Sequence, residues 1–403
     1  MPFLCEPIVE MQFASLKDVD GWISVNEDRL ERVSIRELIE KGARFFDDEY
    51  FGDEDHFLRF NQNGIRVLAQ KLSLRLDTLQ RVERPGLISD LLNDLMVQKD
   101  MIERLEDHDF VVNTRSNTVL GAVSKSYVFY SNQDFIQDIQ DLLGGGQMAF
   151  FPKDSLGRFR YVNGFSVNTQ LFLRFILRVE SGRVTGAGGE GEDVTEIGIQ
   201  FKNSMVGDAA VSIQYFVNRL LCANGLIVPA GTSHSRVFHS GKRENFVKRL
   251  ERSFHEVERK IGSTATAVKS LMSIDFDAES LARTKMTRKV LDIIPGARSR
   301  IMQEHRISKR QKTRMTPAER TEYEASIIDH IPETFAGKHA ARVFNSPHRT
   351  NATMFDFINI FTEYAQTQPI HRRLEMEERA GVLADQIVKN KRKFASRKDV
   401  NGA

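Results

Sequence analysis

Hydrophobic residues recur every three or four positions in residues 1–110, which predicts a mainly helical N-terminal region. In residues 64–80 one helical stripe carries Ile65, Leu68, Leu72, Leu76 and Leu79. Ser34 is followed three residues later by Glu37, the pattern of a capping box, so we expect a helix to begin there.

In residues 111–235 the helical spacing of hydrophobic residues gives way to the two-residue period of strands. Along residues 170–180, one face of a strand would carry Leu171, Leu173, Phe175 and Leu177, and the other would carry Phe172, Arg174, Ile176 and Arg178. A hairpin is expected around a turn at residues 203–208. These strands do not alternate regularly with crossover helices, so they predict a mixed or antiparallel sheet.

Helical spacing returns in residues 236–403. One amphipathic stripe carries Phe246, Leu250, Phe254, Val257 and Ile261. Further helices are expected near residues 278–292, 317–330, 352–366 and 375–393. The fold class is therefore predicted to be α+β, with a central mixed or antiparallel sheet flanked by helices and a helical C-terminal region. The sheet-containing core and this last region are expected to pack as one unit.

Charge is distributed unevenly along the chain. The 403 residues carry a formal net charge of only +2, but residues 1–110 carry −10, residues 111–235 are neutral and residues 236–403 carry +12. The acidic and basic ends could pair with each other, or the basic region could meet an anionic partner. Lys and Arg on solvated helical faces would give the same pattern, so charge alone does not decide between these alternatives.

Several classes of protein are disfavoured by the sequence. No apolar stretch approaches 18 residues, so no membrane span is expected, and the first ten residues do not have the pattern of a signal peptide. Cys5 and Cys222 are too few for a disulfide scaffold or a cysteine zinc site. The low cysteine content indicates a reducing, cytoplasmic location.

No catalytic arrangement is recognisable, and no catalytic residue, cofactor or metal is predicted. The glycine-rich segment 186–193 lacks the Gly-Lys-Ser/Thr ending of a phosphate-binding loop and contains acids that would repel phosphate. The acidic run at residues 47–55 does not have calcium-loop spacing. A nuclease that uses Asp53 and Asp55 with a divalent metal remains a third hypothesis.

Basic residues interleaved with aromatic residues suggest contacts with nucleic acid, because bases stack on aromatic rings and cations attract phosphates. On the strands, the candidates for these contacts are Arg158, Arg160, Tyr161, Phe172, Arg174 and Arg178. In the basic segment 298–314 they are Arg298, Arg300, Arg306, Lys309, Arg310, Lys312 and Arg314. The other interpretation is that the aromatic residues belong to the core.

Four segments together resemble a known family. They are residues 60–96, residues 119–139 (VLGAVSKSYVFYSNQDFIQDI), residues 199–226 with "NS-x-x-G" and "C-x-N-G" elements, and residues 350–366 ending in a Thr-Glu-Tyr helix. Their order and spacing are similar to those of the phage/plasmid-like family called domain of unknown function 932. That family has no established reaction, so the resemblance supplies no catalytic residues. It implies a mobile-element protein in the cytoplasm of a bacterial host cell.

These observations lead to two main hypotheses. The first is an accessory protein of a phage or plasmid that binds nucleic acid, preferably single-stranded DNA, in strand annealing or recombination. The second is a protein-interaction module that acts on a host defence factor and binds no nucleic acid. The sequence leaves homo-oligomerisation open, because an amphipathic helix can serve an interface as well as a core.

Overall fold

Two sheets and a series of helices make up the described part of the chain. The computed structural model describes residues 10–26, 30–43, 58–60, 62–74, 85–144, 155–156, 159–167, 169–177, 183–185, 194–207, 209–219, 224–228, 235–305, 309–344 and 352–394. Cys5, Cys222, the acidic run at 47–55 and the glycine-rich segment 186–193 lie outside these residues.

Thirteen strands occur in the described residues. They are β1 Glu10–Phe13, β2 Leu30–Ser34, β3 Arg59–Phe60, β4 His108–Asn113, β5 Thr118–Ser124, β6 Ser155–Leu156, β7 Phe159–Val167, β8 Gln170–Leu177, β9 Arg183–Thr185, β10 Val194–Ser204, β11 Val211–Arg219, β12 Asn224–Val228 and β13 Ser235–Val237.

Helices dominate the described C-terminal residues. In chain order the helices are α1 Leu16–Asn26, α2 Ile35–Glu40, α3 Gln62–Lys71, α4 Pro85–Met96, α5 Lys99–Leu105, α6 Asn132–Gly144, α7 Arg243–Arg259, α8 Ile261–Met272, α9 Ala278–Arg283, α10 Thr287–Leu291, α11 Ala297–Glu304, α12 Lys309–Arg314, α13 Pro317–Phe335, α14 Lys338–Phe344, α15 Met354–Ala365, α16 Ile370–Lys389 and α17 Lys391–Phe394. None of them combines the length and the apolar character that crossing a bilayer requires.

The larger sheet has nine strands and is antiparallel at every pairing. Its main order is β1-β7-β8-β10-β11-β12, with β6 beside β7, β9 beside β10 and β13 beside β11. The prediction of an α+β fold with a central mixed or antiparallel sheet is confirmed, and the large sheet is the antiparallel kind. The hairpin predicted around residues 203–208 is the β10–β11 pair.

A second, four-stranded sheet was not expected from the hydrophobic spacing. Its order is β2-β4-β5-β3, and the β3–β5 pairing is parallel. Strand β4 runs across position 110, so the acidic N-terminal region supplies strands as well as helices. The first strand, β1, joins the edge of the large sheet by pairing with β7. These short strands depend on distant pairing partners, which local spacing does not reveal.

One face of the large sheet forms the main core. The side chains predicted to share a face of β8, Leu171, Leu173, Phe175 and Leu177, are all buried there. Helices α7 and α8 cover this face with the predicted stripe that runs from Phe246 to Ile261. The hydroxyl of Tyr215 on β11 donates to the carbonyl of Val257 on α7, which ties the sheet to this layer.

Candidate functional site

The opposite face of the large sheet carries two rows of side chains that strand register brings together. Residues two apart on a strand point to the same face, and antiparallel neighbours lie directly opposite one another. The first row is Arg174 on β8, Gln200 on β10 and Gln214 on β11. The second row is Phe172, Lys202 and Ser212 on the same three strands.

Helix α16 packs over Arg174, the first residue of the first row, and buries an ionic group there. Arg174 is completely buried, and its guanidinium forms an ion pair with the buried carboxylate of Glu377. Arg373 donates from Nε to the same carboxylate at 2.9 Å. The Arg174 guanidinium also lies 5.0 Å from the ring centre of Phe165 and 4.9 Å from that of Phe216. Burial lowers the pKa of Arg174, and the charge of Glu377 opposes that shift.

The prediction that Phe172 and Arg174 present an exposed strand face to nucleic acid is wrong, because both side chains are buried. Tyr161 is buried too, on the main-core face of the sheet beside Phe175. Phe172 packs with Phe165 and Leu374, and the Tyr161 hydroxyl donates to the carbonyl of Phe13 at 3.2 Å. Aromatic and aliphatic residues occupy both faces of β8 because helices cover both faces of the sheet, as in a strand at the centre of a layered fold.

Beyond the covered part, a groove of about 700 Å³ lies between the sheet and the N-terminal half of α16. We use "the groove" for this cavity, and the lining residues that matter most are Phe172, Lys202, Gln214, Arg236, Phe238 and Glu378. On the sheet side, Lys202 Nζ lies 5.2 Å above the ring centre of Phe172. Arg236 on β13 is exposed and lies opposite Ser212 in the register of β11.

Phe238 is a large apolar side chain that is 67 % exposed at the groove. The backbone that carries it is firmly held. Arg249 Nη2 donates to the carbonyl of Phe238 at 3.1 Å and to that of Ser240 at 2.6 Å. The next ring, His239, is buried and stacks on Tyr127 with a centroid distance of 4.7 Å. Phe238 is therefore held toward solvent by an ordered segment, and its ring is accessible from the groove.

The helix side of the groove is acidic and is fixed to β1. Glu375 and Glu378 line the groove from α16. At the start of the helix, Glu10 accepts hydrogen bonds from the backbone N–H groups of Ile370 at 2.7 Å and His371 at 2.9 Å, and from His371 Nδ1. Burial would raise the pKa of Glu10, but these hydrogen bonds outweigh burial and the pKa is lowered.

Gly207 closes the turn between β10 and β11 at the edge of the groove. Its φ of +74° lies in the left-handed region that favours glycine, as the sequence indicated. A Cβ at this position would lie 3.1 Å from Val123 Cγ1 and 3.3 Å from Tyr127 Cε2. The turn therefore approaches the small sheet closely. Within the turn, Ser204 Oγ accepts from the backbone N–H of Val206 at 3.4 Å, whereas Asn203 Nδ2 donates away from the turn to Asn132 Oδ1 at 2.9 Å.

Replacing Gly207 by Ala is expected to lower the free energy of unfolding by about 1–2 kcal/mol, from backbone strain and from crowding against Tyr127. Chemical denaturation followed by circular dichroism measures this change. Gly262→Ala is the matched control, since a Cβ there meets nothing within 4 Å. Equal stability of the two variants would show that the turn is not constrained as described.

The other predicted contact residues do not gather in the groove. Arg160 is half-exposed and pairs with Glu196 at 3.2 Å. Arg298, Arg300 and Arg314 are exposed on α11 and α12, and Arg300 lies over the Phe335 ring at 5.5 Å. Lys309, Arg310 and Lys312 also lie on α12. Arg158, Arg178 and Arg306 fall outside the described residues.

Sequence reasoning missed most of the groove. Lys202, Gln214, Arg236 and Phe238 come from β10, β11 and β13 and from the segment after β13, so only strand pairing brings them together. The one local signal in the sequence that could have indicated the groove was Arg236, which lies two residues before Phe238 and next to a Ser-rich turn. No group of His, Cys, Asp and Glu that could hold a metal ion occurs in the part of the chain that is described.

Comparison with known proteins identifies one family. The family model described as domain of unknown function (DUF932) matches residues 119–392. The match includes both rows of the sheet face, the groove and α16, but it begins after the resembling segment at 60–96. No curated protein and no solved structure matches the chain.

Proposed function

The chain belongs to the family of domain of unknown function 932, and from its groove we propose that the protein binds nucleic acid, with a preference for single strands, as an accessory protein of a phage or plasmid. The observation that carries the proposal is Phe238, an exposed aromatic ring on a held segment, in a groove that also contains two cations. Unpaired bases stack on such rings, whatever their sequence.

The cations on the sheet side of the groove support the same ligand class, whereas Glu375 and Glu378 on α16 would repel a phosphate placed beside them. Lys202 and Arg236 line the groove, and both can neutralise phosphates by releasing counterions. The volume of about 700 Å³ falls within the range of pockets that hold small ligands, roughly 300–1,000 Å³. A cavity of this size suits an unpaired nucleotide, whereas a base inside a duplex would have to leave its stack to enter.

The exposed cations of the basic helices extend the proposal beyond the groove. Arg298, Arg300 and Arg314 lie on α11 and α12 and offer further phosphate contacts. Strand annealing or recombination is the process that single-strand binding would serve in a mobile element.

Fluorescence anisotropy with labelled single-stranded and duplex DNA across a salt series tests the proposal. We expect tighter binding of the single strand, with an affinity that falls steeply as salt rises. Absence of binding to either form at low salt would overturn the proposal. It would favour the alternative of a protein-interaction module that acts on a host factor.

Replacing both Lys202 and Arg236 by Ala is expected to reduce the salt dependence of single-strand binding. Two lost phosphate contacts lower the slope of log K against log salt by about 1.4, at roughly 0.7 per contact on single strands. The same anisotropy series measures this slope.

The control for this variant replaces two exposed cations of α7, Lys248 and Arg252, by Ala. This control removes the same net charge from a surface that does not line the groove. Equal slopes for the two double variants would contradict phosphate contacts in the groove.

A further inference from the structure

We propose that the groove recognises one unstacked guanine base, with hydrogen-bond donors on the sheet side and a carboxylate acceptor on α16. This inference rests on the proposed function, and it adds a base preference and the residues that set it. Its basis is the different chemistry of the two sides of the groove.

On the sheet side, a buried relay orients the amide of Gln214. Arg174 Nε donates to Gln200 Oε1 at 2.7 Å, and Gln200 Nε2 donates to Gln214 Oε1 at 3.2 Å. Arg174 is held in turn by Glu377, so the direction of the relay is set by a buried charge. Gln214 Oε1 therefore faces Gln200, and Gln214 Nε2 is directed away from Gln200. Lys202 adds a cationic donor in the next row.

On the helix side, the two carboxylates differ. Arg379 Nη2 donates to Glu375 Oε1 at 2.5 Å, so Glu375 is already engaged along its own helix. Within the described parts of the chain, Glu378 has neither a hydrogen bond nor an ion pair at its carboxylate. Glu378 also lines the groove and is partly buried. It is an acceptor on the helix side of the groove, whereas Gln214 lines the groove from the sheet side.

Guanine matches this arrangement of donors and acceptors. Its N1–H and N2–H groups lie side by side and can both donate to one carboxylate, here Glu378. Its O6 and N7 atoms are acceptors on the adjoining edge and suit the donors Gln214 and Lys202. Adenine, cytosine and thymine do not combine two adjacent N–H donors with two adjacent acceptors in this way. The exposed ring of Phe238 supplies apolar surface for the base.

The test uses anisotropy titrations with labelled oligothymidylates that carry one central dG, dA, dC or deoxyinosine. Inosine lacks the 2-amino group, so it loses one donor to Glu378 while it keeps O6 and N7. We expect the dG strand to bind about tenfold more tightly than the inosine strand, since one hydrogen bond to a charged group is lost. A strand with 7-deazaguanine is expected to bind more weakly than the dG strand. It lacks N7 and so loses one acceptor for the sheet-side donors Gln214 and Lys202.

Glu378→Gln is the diagnostic variant, and it should bind the dG and inosine strands equally. Glu322→Gln, at an exposed position of α13, is the matched control and should keep the preference. Guanosine monophosphate is added as a competitor. If guanosine monophosphate displaces the labelled strand at the same concentration as unlabelled dG strand does, the site is assigned to a free nucleotide. If a higher concentration of guanosine monophosphate is needed, the site is assigned to a base within a strand.

The outcomes separate this inference from the proposed function. If all strands bind equally tightly and Glu378→Gln changes nothing, guanine recognition is overturned while single-strand binding stands. If the dG strand is preferred but Glu378→Gln retains the full preference, the assignment of Glu378 is overturned. If no strand binds at low salt, the proposed function fails together with the inference.

Discussion

Replacing Glu377 by Ala is expected to lower the free energy of unfolding by about 3–5 kcal/mol, the usual cost of removing one partner of a buried ion pair. Arg174 is completely buried and would lose its main countercharge. Arg373 donates to the same carboxylate and would lose it too, so two cations would remain beside the Phe165 ring. Chemical denaturation followed by circular dichroism measures the change.

Two further variants control this prediction. Glu375→Ala removes an exposed carboxylate on the same helix, whose ion pair with Arg379 is of the surface kind, so a loss below about 1 kcal/mol is expected. Arg174→Met, Arg373→Met and Glu377→Leu together remove all three charges of the group and should recover much of the stability. A loss for Glu377→Ala that is no larger than for Glu375→Ala would show that α16 is not fixed to the sheet by this group.

Replacing Phe238 by Ala is expected to weaken single-strand binding by about tenfold or more, since stacking of one base on an aromatic ring contributes roughly 1–3 kcal/mol. The side chain is 67 % exposed, so its loss should leave the free energy of unfolding almost unchanged. Anisotropy and denaturation measured on the same preparation separate the two effects.

Val97→Ala is the control for loss of exposed apolar surface, since Val97 is 57 % exposed and does not line the groove. It should bind single strands as the unmodified protein does. Full affinity in Phe238→Ala would exclude Phe238 as a base-stacking residue and would shift attention to the cations of α11 and α12.

Local signals in the sequence were sufficient for most helices and for the main hairpin. The Ser34–Glu37 capping box is present at the start of α2, and the stripe from Phe246 to Ile261 is the buried side of α7 and α8. Helix α3, by contrast, ends at Lys71, well before the end of the predicted stripe. Helix ends depend on tertiary contacts, so boundaries are less predictable than the elements themselves.

The candidate site was much less predictable than the fold. Alternation on β8 was identified correctly, but nothing near Arg174 in the sequence indicates that its countercharge is Glu377, 203 residues further along the chain. Glu363 on α15 likewise has a distant partner, since its Oε2 accepts from the backbone N–H of Ala340 in α14. Long-range pairing decides which charged residues remain accessible.

Photocrosslinking tests the central claim, that single strands lie in the groove, most directly. A single-stranded oligonucleotide containing 5-iododeoxyuridine is bound to the full chain and irradiated, and the crosslinked peptides are mapped by mass spectrometry. The account predicts crosslinks at Phe238 and in the neighbouring segment around Arg236, and loss of these crosslinks in Phe238→Ala. Crosslinks confined to α11 and α12, with none at the groove, would contradict it.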